Sequence, residues 1–191
     1  MRLSRLTLIG LVTAMAVVLS TITVLALRWV AAPSSATPTA TASGPSLGFT
    51  RLNRPAPPLS LPSLGGSGTI SLASVAGRPI VLNFWSSSCG PCKSETPDLA
   101  SVARSLRGKV TFLGVDTGDV RSAARAFAAR YGVPYQNAFD PNTTMAIRYD
   151  VVGLPATFFL TSSGDRILGE NLGALTPASL RTILRELYHI G

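Results

Sequence analysis

This chain of 191 residues contains two cysteines, Cys89 and Cys92, and they stand three positions apart. A bridge between residues so close encloses too short a loop to restrain the unfolded chain, so a buried apolar core has to hold the fold without a covalent staple. The length provides for one folded domain and an appendage. The value of the pair is therefore chemical, and its place in the chain decides which chemistry.

That place is the junction of a strand and a helix. Pro79 to Trp85 is nearly continuous in apolar residues, the pattern of a strand buried on both faces, and it runs straight towards Cys89. Pro91 to Leu106 reads as a helix and Val110 to Val115 as a second buried strand. Helix and strand go on alternating: a helix from Val120 to Tyr131 with Gly132 as its stop, a short strand from Tyr135 to Phe139, and a helix opened by Asp140-Pro141 and running through Tyr149. Strands at Ala156–Thr161 and Ile167–Leu172 flank the turn Ser162-Ser163-Gly164-Asp165, and Thr176-Pro177 caps a last helix. Upstream, the alternation around Leu59 and Leu61, the glycine-rich turn Gly65–Gly68 and Thr69–Leu72 predict an edge hairpin, with a short turn or helix after it. The sum is an α/β sandwich, a central mixed β-sheet flanked by helices, with an N-terminal β-hairpin extension.

The appendage is N-terminal. Leu6 to Leu27 is a run of 22 residues without a charge, about 33 Å as a helix and enough to cross a bilayer core. Arg2 and Arg5 before it outweigh Arg28 after it, which orients the N-terminus to the cytoplasm and the rest outside. The alternative is a cleaved signal peptide, whose apolar stretch is usually shorter; the small-residue pattern Ala40-Thr41-Ala42 lies well past the run, and Val30-Ala31-Ala32 is followed by Pro33. No cysteine stands near enough for lipid attachment. Residues 31–46 hold only Ala, Pro, Ser, Thr and Gly, a composition that buries no core. The expected organisation is an anchor at 1–30, a spacer at 31–46 and a folded domain at 47–191, a single-pass protein of the cell membrane.

A formal charge of +8, from 17 Lys and Arg against 9 Asp and Glu, raises the question of nucleic acid. The basic residues are scattered, with lysines only at 93 and 109, and make no dense block that would track phosphates. No nucleic-acid partner is expected.

At the start of a helix, unpaired amides and the positive end of the dipole stabilise a thiolate, so Cys89 is the expected nucleophile and Cys92, one turn on, the sulfur that resolves a mixed disulfide. Pro91 suits the first turn. The competing readings are half of a zinc site, an inert disulfide and a copper carrier. Zinc needs further ligands, and the chain offers no second cysteine pair and one histidine, His189, which is read as a surface residue of the last helix. Copper would want wider cysteine spacing and a nearby histidine. No metal and no cofactor is expected.

The segment Phe84-Trp85-Ser86-Ser87-Ser88-Cys89-Gly90-Pro91-Cys92-Lys93-Ser94-Glu95-Thr96-Pro97, with Gly153-Leu154-Pro155-Ala156-Thr157-Phe158-Phe159 further on, resembles the thioredoxin superfamily, and within it the TlpA/ResA-like extracytoplasmic branch. The resemblance covers the chain from about residue 50 to its end. It implies that Pro155 is a cis-proline facing the sulfurs and that the Leu154 main chain pairs with an extended substrate segment. It implies that Glu95, rather than the non-titrating Asn83, handles the proton of Cys92. Trp85 fits the family pattern and packs beneath the site, beside the substrate. Ser88 departs from relatives that carry Trp there, which affects substrate choice, and Pro97 should kink the helix. Asn142-Thr143-Thr144 is a glycosylation sequon, a weak signal on three residues.

The implied activity is thiol-disulfide exchange with cysteine-containing extracytoplasmic proteins, with electrons from a membrane thiol carrier and cytochrome c maturation as a fitting pathway. Two other readings stand beside it. A peroxidase of the peroxiredoxin type would match Ser86, three residues before Cys89, but not Leu82, where that site has proline. A non-catalytic tethered binding module would function without Cys92.

Overall fold

The computed structural model describes residues 48–190, so the expected anchor Leu6–Leu27 and spacer Ala31–Ser46 lie outside the described residues. Along them run β1 (Gly48–Pro55), β2 (Ser60–Pro62), β3 (Thr69–Ser71), a single 3-10 turn (Ala73–Val75), β4 (Ile80–Trp85), α1 (Gly90–Ser105), β5 (Thr111–Thr117), α2 (Arg121–Arg130), β6 (Gln136–Asp140), α3 (Thr144–Arg148), β7 (Ala156–Leu160), β8 (Arg166–Leu172) and α4 (Pro177–Tyr188). Among the described residues no helix is long and apolar enough to cross a membrane.

The near-continuous apolar run of β4 is explained by its place in the sheet. Six strands lie in the order β1-β8-β7-β4-β5-β6, and β4 is interior, parallel to β5 and antiparallel to β7. All its residues are buried. Successive side chains point to opposite faces. Ile80, Leu82 and Phe84 enter one core with Tyr149, Phe158 and the hairpin residues Leu59 and Ile70. Val81 enters the other, with Leu99 and Val102 of α1 and Leu180 and Leu184 of α4. The expected α/β sandwich around a mixed sheet is what the chain forms.

Two details depart from the sequence expectations, β1 and the start of α3, while the expected edge hairpin forms. β1 was not foreseen: its pattern Gly-Phe-Thr-Arg-Leu-Asn-Arg-Pro has no clean alternation, because it is a half-exposed edge strand that pairs with β8 through a register shift between Arg51 and Arg54. Phe49 anchors it, edge-on to Phe159 at 5.8 Å, over Gly169, where a Cβ would sit 2.5 Å from the Phe49 ring. The hairpin β2–β3 forms a separate two-stranded sheet, touching the edge strand β6 by one bridge, Ser63 to Ala138. The helix expected from Asp140 begins only at Thr144, because Thr143 takes a left-handed backbone (φ 56°) and the Asp140 carboxylate turns to accept the N–H groups of Met145 and Ala146.

Candidate active site

β4 ends at Trp85, and a turn of three serines, Ser86 to Ser88, carries the chain into α1. Cys89 is the N-cap of that helix in an extended conformation, and its Sγ accepts the Cys92 N–H at 3.1 Å. Pro91 sits in the first turn, where an amide would lack a partner. The two sulfurs are joined in a disulfide of 2.04 Å. They are not equivalent: Cys89 is partly exposed, whereas Cys92 is 1% exposed.

Behind the sulfurs lies an apolar cluster of Leu64, Trp85, Cys92, Ala124, Phe127 and Phe139, with Cys89 and Leu154 packed against it. Trp85 is buried, stacked on Phe127 at 4.6 Å, and donates its indole N–H to Asn137 Oδ1 at 3.0 Å. It therefore supports the site from below and has almost no surface of its own to offer a substrate. Gly114 makes this possible, since a Cβ there would collide with the Asn137 carboxamide oxygen and lie 2.8 Å from the indole nitrogen.

The Leu154–Pro155 peptide bond is cis. The β4–β7 ladder begins at Ala156, so the Leu154 main chain lies just outside it, and the Leu154 side chain meets the same cluster as Cys89. Glu95, three residues on from Cys92 in α1, is buried. Its Oε1 accepts from Asn83 Nδ2 at 2.9 Å and its Oε2 from the Leu175 N–H at 2.6 Å. Burial pushes its pKa from 4.5 up to about 7; the two donors oppose the rise and the Asp98 charge adds to it. Asn83 spends its second amide hydrogen on Thr157 Oγ1 at 3.0 Å. A carboxyl poised near neutrality in a dry interior can both take and return a proton.

Sequence reasoning did not identify Leu175 and Thr157, which frame Glu95 and Asn83, or Asp116 near the end of β5 and Asp119 just beyond it, whose carboxylate binds the serine turn. Their contacts come from segments far apart in the chain. His189 is exposed at the end of α4, and Asn142 is exposed in the turn before α3. Among the described residues no group of His, Cys, Asp and Glu could hold a metal ion.

A sequence profile of the AhpC/TSA family matches residues 52–165. The thiol:disulfide interchange protein HelX of Rhodobacter capsulatus is 33% identical, over 63% of this chain and 68% of that protein. The thiol-disulfide oxidoreductase ResA of Bacillus subtilis is 32% identical over 50% of this chain, which thus spans about half of ResA, 54%. Among solved structures, a DsbF homologue from Corynebacterium diphtheriae superposes with a TM-score of 0.67 at 26% identity, covering 73% of this chain and 93% of its own.

Proposed function

This chain belongs to the AhpC/TSA family and is a thiol-disulfide oxidoreductase of the DsbE and ResA type, and on that footing we propose that Cys89 and Cys92 exchange disulfides with cysteine-containing extracytoplasmic proteins. The observation that carries this reading is the asymmetry of the pair: one sulfur is reachable at a helix N-cap and the other is buried a turn deeper.

In the reduced protein the Cys89 thiolate attacks one sulfur of a substrate disulfide, forming a Cys89–substrate bond and expelling the other substrate sulfur as a thiolate that takes up a proton. Glu95 accepts the proton of Cys92, whose thiolate attacks Cys89 Sγ. The Cys89–Cys92 disulfide forms and the second substrate thiol leaves, so two electrons have passed to the substrate. The cis-Pro155 turn sets the Leu154 main chain beside Cys89 to pair with an extended substrate segment. A dithiol of a membrane carrier restores the reduced pair, and the protein serves as a reductase in cytochrome c maturation or a related envelope pathway. Leu6–Leu27 anchors it with the N-terminus in the cytoplasm, residues 31–46 act as spacer, and the catalytic domain from residue 47 lies outside.

The test is the redox potential of the pair, with the full chain in detergent equilibrated in defined thiol buffers and read by alkylation. A strongly reducing value is expected. An oxidising value would reverse the direction of flow, and a pair that does not cycle would remove the exchange mechanism.

A further inference from the structure

Asp116 is the penultimate residue of β5, directly opposite Trp85 in the parallel register with β4. Its side chain is fully buried, and neither carboxyl oxygen receives a hydrogen bond from an N–H or O–H donor. The group within hydrogen-bonding reach is another carboxyl, that of Asp119. Two carboxyl groups that face each other bond only if one of them holds a proton.

The surroundings decide which one. Asp119 Oδ1 accepts the Ser86 hydroxyl at 3.0 Å, and its Oδ2 accepts the Ser87 N–H at 2.5 Å. Burial works against the Asp119 charge, but the Ser87 N–H, the Asp116 carboxyl and the serine hydroxyls together hold its pKa below the usual carboxylate value. Asp119 is the anion. The other charged groups facing Asp116 are Asp140, at the end of β6, and Arg121, in the first turn of α2. Asp140 is already committed to the Met145 and Ala146 N–H groups. Arg121 donates to the Ser63 carbonyl at 2.6 Å and lies 4.1 Å over the Phe139 ring. Neither gives Asp116 a hydrogen bond.

The Asp119 anion holds the turn that delivers Cys89 to its N-cap position. The Ser86 hydroxyl also meets the Ser88 hydroxyl at 2.9 Å, and the Ser86 carbonyl accepts the Cys89 N–H at 3.2 Å. We propose that Asp116 is a buried carboxylic acid that donates to Asp119, that the acid pair clamps the Ser86–Ser88 turn, and that Asp116 is thereby a positioning residue for the reaction at Cys89. The proposal rests on Cys89 being the exchanging sulfur. Burial, reinforced by the Asp119 hydrogen bond and by the Asp119 and Asp140 charges and opposed by Arg121, raises the Asp116 pKa to about 8. The clamp is therefore closed at neutral pH and loosens in alkali, when two anions face each other.

Two measurements on the full chain in detergent test this. Carbon-13 carboxyl shifts of the aspartates, followed with pH, should show Asp116 protonated and Asp119 ionised at pH 7, with the protonated signal absent from Asp116→Asn. An ionised Asp116 at pH 7 overturns the clamp. Reduction of the Cys89–Cys92 disulfide by dithiothreitol should slow about tenfold in Asp116→Leu, the loss expected of one hydrogen bond to a charged group. Asp116→Asn, a neutral donor of similar shape, should restore the rate and keep it in alkali, where the wild type falls behind the variant. A Leu variant as fast as wild type, or an Asn variant as slow as Leu, refutes the positioning role. A wild-type disulfide inert to the dithiol overturns the exchange reading and the role with it, whereas an ionised Asp116 overturns the clamp alone.

Discussion

Replacing Glu95 by glutamine should make the protein more stable and less active, with a pH signature that separates the two effects. In the folded chain burial lifts the Glu95 pKa from 4.5 to about 7. Between these values the folded state holds a proton that the unfolded chain has released, so stability falls as pH rises. The contribution is complete below pH 4.5 and lost above about 7, and the displacement corresponds to about 3 kcal/mol. Glutamine imitates the protonated acid: its oxygen can accept the Leu175 N–H, and its amide can donate to Asn83 if that carboxamide turns over and takes its second bond from the Thr157 hydroxyl. The two chains should therefore be about equally stable at pH 4, with the variant ahead by about 3 kcal/mol at pH 8. Asp116 also destabilises the folded state as pH rises, but it is present in both chains and cancels in the difference. The assay is urea unfolding of the oxidised domain from Leu47 onward, wild type against Glu95→Gln, across that pH range. A difference that does not change with pH would show Glu95 ionised as an ordinary glutamate and would refute its role as proton acceptor near neutrality. With the role intact, the same variant should exchange at least about a hundredfold more slowly at pH 7.

Gly114→Ala should drive Asn137 away from Trp85, breaking the bond beneath the site and lowering stability by about 1–3 kcal/mol in thermal unfolding, because overpacking and a lost hydrogen bond act together. Asn83→Asp places a second buried acid on Glu95, so the coupled pair should release its first proton at wild-type-like pH or below and its second well above about 7, read by carboxyl shifts. Phe49→Ala should loosen β1 from β8 and cost less than the about 3–5 kcal/mol of a fully buried ring, because Phe49 is partly buried on a half-exposed edge strand, with hydrogen exchange of β1 as the readout.

The parts of this molecule that could be read from the sequence are those whose signal is local. A doubly buried strand is apolar at nearly every position, with Asn83 the exception in β4, and a helix N-terminus shows itself by Cys89-Gly90-Pro91, whereas the cis bond before Pro155 is legible only through the family resemblance. β1 could not be read because an edge strand needs only Phe49 and Leu52 to face a core, and its partner β8 lies far along the chain. The start of α3 was misplaced because Asp140-Pro141 looks like a helix entry, while the Asp140 side chain reaches past a left-handed Thr143 to cap from a distance. Glu95 draws attention through the family resemblance, while its partners Asn83 and Leu175 come from β4 and the approach to α4 and leave no local signal. Asp116 stayed hidden because Val115-Asp116-Thr117-Gly118-Asp119 reads as a polar strand end, and nothing in that spacing tells that Asp116 is buried or that Asp119 binds the serine turn.

The central claim is that Cys89 attacks and Cys92 resolves. The most direct measurement is to reduce the full chain carrying Cys92→Ser, present it with a disulfide-containing unfolded protein, and map the products by mass spectrometry after acid quenching. The account predicts mixed disulfides accumulating on Cys89 and no turnover. A variant that still turns over, or one that forms no adduct at Cys89, would contradict it.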